Sequence, residues 1–141
     1  MESFSPYNIH PLFIHFPIAL LASGFFFDIL YKFTNNNELD HAAFWCLGLG
    51  IISCLFANIT GLFAFLSEAS LIEFFKFTHG ILAWGITLIY MIIFWLKIKF
   101  QLDLQFSNVK KNIFFFIQLM MIIILFYMAH IGATGEREWL F

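Results

Sequence analysis

The stretch FWCLGLGIISCLFANITGLFAFL, residues 44–66, carries no charged side chain over its whole length, and segments of this kind decide the fold. A helix needs about 20 apolar residues to cross the hydrocarbon core of a membrane, and this stretch is long enough. Three further stretches meet the same requirement. The sequence therefore predicts four transmembrane helices at about residues 11–34, 40–66, 71–100 and 108–131.

Short connectors join the four predicted spans, and helices joined in this way lie antiparallel to their neighbours. We expect an all-α fold, an integral membrane up-down four-helix bundle in which residues 1–141 form a single domain. The first connector, TNNNELD at 34–40, contains Asn and Asp, which are typical turn formers and helix caps. It predicts a tight turn between the first two helices.

The composition supports a membrane protein and excludes other classes. Hydrophobic residues make up 62% of the chain and charged residues 11%, against roughly 25% charged residues in average chains. The mean hydropathy of +0.88 agrees. The predicted partner is a lipid bilayer. A formal net charge of −2 argues against a nucleic-acid-binding protein, because nucleic acid binds to basic surfaces. Cys46 and Cys54 lie too far apart on one helix to bridge each other, so we expect them to pack as small apolar residues.

The distribution of lysines predicts the orientation in the membrane. One face carries five of them: Lys32, Lys97, Lys99, Lys110 and Lys111. The opposite face carries only Lys76 and Arg137. Because positive residues accumulate on the cytoplasmic side, we expect a multi-pass protein of the bacterial inner membrane with both termini outside. No Lys or Arg precedes Lys32, so a cleavable signal is not expected.

One pair of opposite charges lies near the inner end of the first span. Asp28 and Lys32 are one helical turn apart, and the acid precedes the base, which is the favoured order for an ion pair on a helix. The spacing therefore predicts that these two residues form an ion pair with each other at the membrane boundary.

Four of the five histidines are predicted to reach the outer part of the bundle. They stand at the outer ends of three different spans: His10, His15, His79 and His130. Each imidazole can simply hydrogen-bond a carbonyl or a lipid headgroup. Burying polar groups in hydrocarbon without partners is costly, however, and this favours a shared site for His15, His79 and His130. His41 lies at the inner face, where we expect an exposed residue.

The second span carries small and polar side chains at the depth of the histidines. A stripe of small residues shares one helix face: Cys46, Gly50, Ser53, Cys54, Ala57, Asn58 and Gly61. Such a face admits either a flat ligand or a neighbouring helix backbone, and close helix packing is the simpler interpretation. In the first span Pro17 follows His15, and a proline ring clashes with the preceding helical turn. We expect either a helix start near Pro17 or a bend that displays His15.

The chain resembles a known family in three places: HPLFIHFP at residues 10–17, Thr60-Gly61 in the second span, and His79 near the start of the third. This is an uncharacterised bacterial family of small four-helix membrane proteins marked by an HPxxxHFP opening. The resemblance covers most of the chain. Some relatives look fused or adjacent to c-type cytochrome domains, which implies a redox or haem setting outside the cytoplasm. The ending AHIGATGEREW, residues 129–139, departs from the expected glycine-rich pattern, which leaves His130 outside the resemblance.

Haem b, bound without a covalent link, is the leading prediction for the histidine site. Haem iron takes two axial ligands, and imidazoles from the helices of a bundle commonly supply them. His15 with His79 is the preferred pair, and His79 with His130 is the second choice. Other predicted contacts line the ring or pair with its propionates: Asn58, Thr60, Gly61, Gly80, Trp84 and Arg137. The expected role is electron transfer between a quinone and a periplasmic cytochrome.

Two other functions stay open. A zinc or copper site facing the periplasm would combine histidines with a carboxylate such as Glu68 or Glu136. Its candidate histidine ligands are His10, His15, His79 and His130. Alternatively, the bundle is a cofactor-free subunit of a larger membrane complex or oligomer. Catalysis beyond electron transfer is not predicted, because no nucleophile has a neighbouring base.

Overall fold

The computed structural model describes residues 6–66, 78–102 and 108–138, and it describes the side chains of residues 13–66, 80–99 and 112–130. Within these residues the chain forms four helices and no strand. The helices are α1 (Pro6–Thr34), α2 (Asn37–Leu66), α3 (Thr78–Leu102) and α4 (Asn108–Glu138). The predicted all-α fold is confirmed.

Two helix ends differ from the prediction. α1 begins at Pro6 and continues without interruption through Pro17, so a helix start near Pro17 is wrong. Proline is tolerated in a membrane helix because neighbouring groups satisfy the carbonyl that it leaves free. α4 continues past residue 131 to Glu138. The predicted start of the third helix, residue 71, lies outside the described residues.

Two asparagines build the turn between α1 and α2, as the TNNNELD stretch predicted. Asn35 adopts the left-handed conformation (φ 52°), which asparagine tolerates better than most residues. Its backbone N–H donates to the carbonyl oxygen of Tyr31 at 2.8 Å. The side-chain oxygen of Asn36 accepts a hydrogen bond from the backbone N–H of Glu38 at 3.1 Å and caps α2. The two helices therefore reverse direction over a very short connection.

The four helices form a ring in chain order. α1 packs most extensively on α2, α2 packs on α3, α3 on α4, and α4 closes the ring against α1. α1 and α3 therefore lie diagonally across the bundle. We call the end that contains Lys32, Lys97 and Lys99 the lysine-rich end, and the end that contains His15 and His130 the histidine end.

The outer surface of the bundle is suited to lipid. Each helix contains a segment long and apolar enough to cross a membrane: Phe13–Thr34, Asn37–Leu66, Gly80–Lys99 and Asn112–His130. Large apolar side chains face outward on every helix, among them Phe16, Phe56, Leu88 and Phe116. Helices that are apolar on all sides need an apolar environment around them. The bundle is therefore a membrane protein, and the lipid bilayer surrounds it.

Small residues bring α1 and α2 close together. A Cβ atom added to Gly50 of α2 would lie 2.7 Å from Cδ2 and 2.9 Å from Cγ of Leu21 on α1. A Cβ atom added to Gly24 of α1 would lie 3.2 Å from Cβ of Cys46 and 3.3 Å from the carbonyl oxygen of Ala43 on α2. The part of the small-residue stripe that contains Cys46 and Gly50 therefore serves helix packing, which was the simpler of its two interpretations.

We expect Gly50→Ala to destabilise the bundle and Gly85→Ala to leave it unchanged. Leu21 is only 2% exposed and has little room to move, so overpacking at Gly50 should cost about 1–3 kcal/mol. No atom lies within 4 Å of the Cβ position at Gly85 among the described residues. Thermal unfolding of both variants in detergent measures the effect, and equal melting temperatures would contradict a tight α1–α2 contact at Gly50.

Candidate functional site

A buried group of charged and polar side chains joins the four helices near the lysine-rich end. Lys97 of α3 is only 5% exposed. Its Nζ atom lies 2.5 Å from Oδ1 of Asp28 on α1 and 3.2 Å from Oδ1 of Asp40 on α2. Gln118 of α4 is also buried and lines a small cavity together with Asp28. We call these four residues the ion cluster, to which each helix contributes one member.

The predicted pair of Asp28 and Lys32 is wrong. Asp28 pairs with Lys97 instead, because its side chain lies inside the bundle while Lys32 is exposed. The Lys32 ammonium group donates to Oδ1 of Asn112 at 3.2 Å and lies over the ring of Phe115, 4.6 Å from its centroid. A long lysine side chain can cover an apolar surface and keep its charge near water, and this explains why Lys32 turns outward.

Two carboxylates share one ammonium group in the ion cluster. Asp28 and Asp40 come from different helices, and both contact Nζ of Lys97. Removing a charge from water costs several kcal/mol, which only good geometry and additional hydrogen bonds offset. Ionisable side chains inside a membrane bundle are accordingly strong candidates for function.

A second set of polar contacts ties α2 to α3 nearer the histidine end. Nδ2 of Asn58 donates to Oγ1 of Thr87 at 2.9 Å and lies 3.5 Å from the carbonyl oxygen of Ala83. Thr87 is almost fully buried and donates to the same carbonyl oxygen at 2.9 Å. Asn58, which the sequence suggested as a cofactor contact, is therefore engaged in holding two helices together, a contact typically worth about 1 kcal/mol in membrane proteins.

A cavity of about 80 Å³ lies beside these contacts, and we call it the histidine-end cavity. All four helices line it, among other residues through Pro17, Cys54, Asn58, Thr87, Leu125 and Met128. Its wall is mostly apolar. The volume is several times the minimum that holds one water molecule. The remaining part of the small-residue stripe, at Cys54, Ala57 and Asn58, thus contributes to the wall of this cavity.

Two of the four predicted histidine ligands have described side chains. His15 and His130 are both exposed and do not line the histidine-end cavity, although their chain neighbours Ile14 and Ala129 do. His10 belongs to α1 and His79 to α3, and their side chains lie outside the described residues. His79 comes one turn before Ala83, which lines the cavity. The parts of α1, α3 and α4 that contain histidines therefore lie around the cavity, but His15 and His130 do not line it.

The remaining predicted site residues have varied surroundings. Gly80 is buried, whereas Thr60, Gly61 and Trp84 are half-buried. Thr60 donates a hydrogen bond to the carbonyl oxygen of Ala57 at 2.9 Å. Arg137 belongs to α4, and its side chain lies outside the described residues. Over the part of the chain that the structure describes, no group of three or more His, Cys, Asp or Glu side chains is arranged to hold a metal ion.

Comparison with known protein families gives one match. The model of a family described as "Predicted membrane protein (DUF2231)" matches residues 6–138, nearly the whole chain. The chain belongs to this family. Membership in DUF2231 agrees with the four membrane-spanning helices, but the family description names no activity. No curated protein and no solved structure matches the chain.

The ion cluster is the feature of this DUF2231 protein that sequence reasoning missed. A signal was present, because Asp28 and Lys97 are ionisable residues inside apolar spans. Lys97 also follows Tyr90 by two helical turns, on the face of α3 that is buried. These facts indicate a buried charge, but not its partners, which depend on how each helix is rotated about its axis.

Replacing Lys97 with methionine should lower the free energy of unfolding by about 3–5 kcal/mol, because two carboxylates then lose their shared cation. Lys99→Met is the matched control. Lys99 is exposed and lies over the Trp95 ring at 4.1 Å, a contact worth about 1 kcal/mol at most in such a position. The double variant Asp28→Asn/Lys97→Met should recover part of the loss. Thermal unfolding in detergent measures the stability of each variant. A melting temperature of Lys97→Met equal to or above that of Lys99→Met would contradict a stabilising role of the ion cluster.

Proposed function

We propose that the protein binds a non-covalent haem b at the histidine end of the bundle and carries electrons within the membrane. The observation that supports this most directly is the order of the helices. The antiparallel ring brings the start of α1, the start of α3 and the end of α4 to one end. His15, His79 and His130 belong to these three segments. Imidazoles from different helices of a bundle are a common means of holding haem iron.

The His15 side chain is exposed. It stands beside Ile14, which lines the histidine-end cavity. An exposed imidazole next to a cavity is accessible to an incoming ligand.

The size of the histidine-end cavity sets a condition on the proposal. A porphyrin is much larger than a cavity of about 80 Å³, so it does not fit the cavity as it stands. Haem binding at His15 and His79 therefore requires the outer ends of α1, α3 and α4 to move apart. When bound, haem supplies one-electron chemistry, and the protein contributes its ligands and surroundings. Arg137, near the end of α4, is the proposed partner of a propionate.

The proposed setting is a bacterial inner membrane with the histidine end and both termini outside. The lysines at the opposite end support this orientation, because positive residues favour the cytoplasmic side. A quinone in the membrane and a periplasmic cytochrome are the proposed electron-transfer partners. The HPxxxHFP motif at residues 10–17 is, in this proposal, the part of the DUF2231 sequence that contributes the first haem ligand.

Visible absorption spectroscopy tests the proposal on protein purified in mild detergent from cells supplied with a haem precursor. The wild type should show a Soret band that sharpens on reduction. His15→Ala and His79→Ala should each lose the band, because haem loses an axial ligand. His41→Ala is the matched control, since His41 is an exposed histidine at the lysine-rich end. It should retain the wild-type spectrum.

A colourless wild-type protein would overturn haem binding, and equal loss of the band in His41→Ala would overturn the assigned ligands. Elemental analysis of a colourless sample separates the other two hypotheses. Stoichiometric zinc or copper would support a metal site built on His10, His15, His79 and His130. A metal-free protein that co-purifies with another subunit would support a structural anchor.

A further inference from the structure

Lys32 and Asn112 stand together where α1 and α4 meet at the lysine-rich end. Nζ of Lys32 donates to Oδ1 of Asn112 at 3.2 Å, and the same ammonium group lies over the ring of Phe115, 4.6 Å from its centroid. Both Lys32 and Asn112 are exposed. Phe115 also packs on Phe25 of α1, with the ring centroids 5.1 Å apart. Contacts with α4 therefore fix the position of an exposed ammonium group.

The pair offers hydrogen-bond donors from two helices. An ammonium group only donates, so the amide oxygen of Asn112 is the atom that faces Lys32. The amide nitrogen, on the other branch of that side chain, brings two N–H donors, and the ammonium group has two beyond the one given to Asn112. Among the described residues Lys32 forms no ion pair with a carboxylate, since Asp28 pairs with Lys97. A positive charge combined with N–H donors is the chemistry that binds a phosphate group.

The depth of the pair matches the headgroup region of a membrane. Lys32 lies two residues before the end of the apolar segment of α1, and Asn112 begins that of α4. Phe116 follows Asn112 by one helical turn, toward the hydrocarbon, and is 59% exposed. In the sequence Lys110 and Lys111 directly precede Asn112 and add positive charge to this end of α4. A phosphate bound here would therefore have an apolar surface next to it on the hydrocarbon side.

We propose that Lys32 and Asn112 form a binding site for the headgroup of an anionic phospholipid. The phosphate accepts hydrogen bonds from the Lys32 ammonium group and from the Asn112 amide nitrogen, and an acyl chain lies along α4 at Phe116. The lipid thereby links α1 to α4, the two helices that close the ring. A zwitterionic lipid carries a cation beside its phosphate, and Lys32 repels that cation, so the site favours an anionic lipid. The site lies at the opposite end from His15 and His130 and does not depend on haem.

Thermal unfolding in a neutral detergent tests the site with one added ligand at a time. Phosphatidylglycerol should raise the melting temperature of the wild type more than phosphatidylcholine with the same acyl chains, because a ligand that binds the folded protein stabilises it. Inorganic phosphate at the same concentration should have little effect, since it has no acyl chain. Equal shifts from the two lipids would overturn the preference for an anionic headgroup. An equal shift from inorganic phosphate would overturn a lipid as the ligand.

Lys32→Gln tests the location of the site, with Lys99→Gln as the matched control. Lys99 is also exposed and lies over an aromatic ring, that of Trp95, but on α3. In a titration followed by native mass spectrometry, Lys32→Gln should bind phosphatidylglycerol about fivefold more weakly, which corresponds to about 1 kcal/mol for one lysine near an anionic lipid. Lys99→Gln should keep nearly the wild-type affinity. Equal weakening in the two variants would indicate attraction by overall charge and would overturn the site.

Asn112→Asp separates lipid binding from a purely structural role of the pair. A carboxylate at this position still accepts a hydrogen bond from Lys32, so the contact between α1 and α4 is retained, but it removes the amide donor and repels a phosphate. The variant should therefore fold and should lose the additional stabilisation by phosphatidylglycerol. Retention of the full wild-type shift would overturn the proposal. If Lys32→Gln does not fold, Asn112→Asp and the comparison of the two lipids on wild-type protein still decide.

Discussion

Hydrocarbon offers no hydrogen-bond partner, so every polar group inside this bundle must find one on its own helix or on a neighbour. Lys97 shows how strongly this constrains the fold. Its ammonium group lies between Asp28 and Asp40. Sliding one of these helices by a turn, about 5.4 Å, would separate a carboxylate from the ammonium group. The ion cluster therefore sets the relative positions of α1, α2 and α3 at the lysine-rich end.

Among the described residues, the larger cavity lies toward the histidine end, away from the ion cluster. Near the lysine-rich end Gly24 and Gly50 let α1 and α2 approach closely, and Leu21 fills the space between them. Toward the histidine end the described contacts include a hydrogen bond from Asn58 to Thr87 and apolar packing around the histidine-end cavity. Charge pairs resist the displacement of a helix, whereas a cavity leaves space into which side chains can move. The described part of the bundle therefore has its charge pairs near one end and its larger cavity toward the other.

The sequence predicts the spans and the first turn because these depend on local chemistry. Apolar length identifies the helices, and Asn35 and Asn36 identify the turn, since their conformational and capping preferences act within a few residues. The partner of Asp28 was missed for the opposite reason. The spacing rule identified Lys32 because it lies one turn from Asp28 on the same helix. The rotation of α1 about its axis turns Asp28 toward α3 instead, where Lys97 is its partner. Which histidine faces inward also depends on how each helix is rotated about its axis. No local pattern in a single sequence specifies that rotation.

α1 is the physical link between the two ends of the bundle. His15 and Asp28 lie thirteen residues apart on this helix, about 20 Å along its axis. At that distance two unit charges interact by only about 1 kcal/mol for an effective dielectric constant of about 20. A change of charge at the histidine end therefore affects the ion cluster little through space. A movement of α1 acts differently, because it changes the position of His15 and the contacts of Asp28 together. The two ends of the bundle are thus coupled through displacement of one helix and not through its electric field.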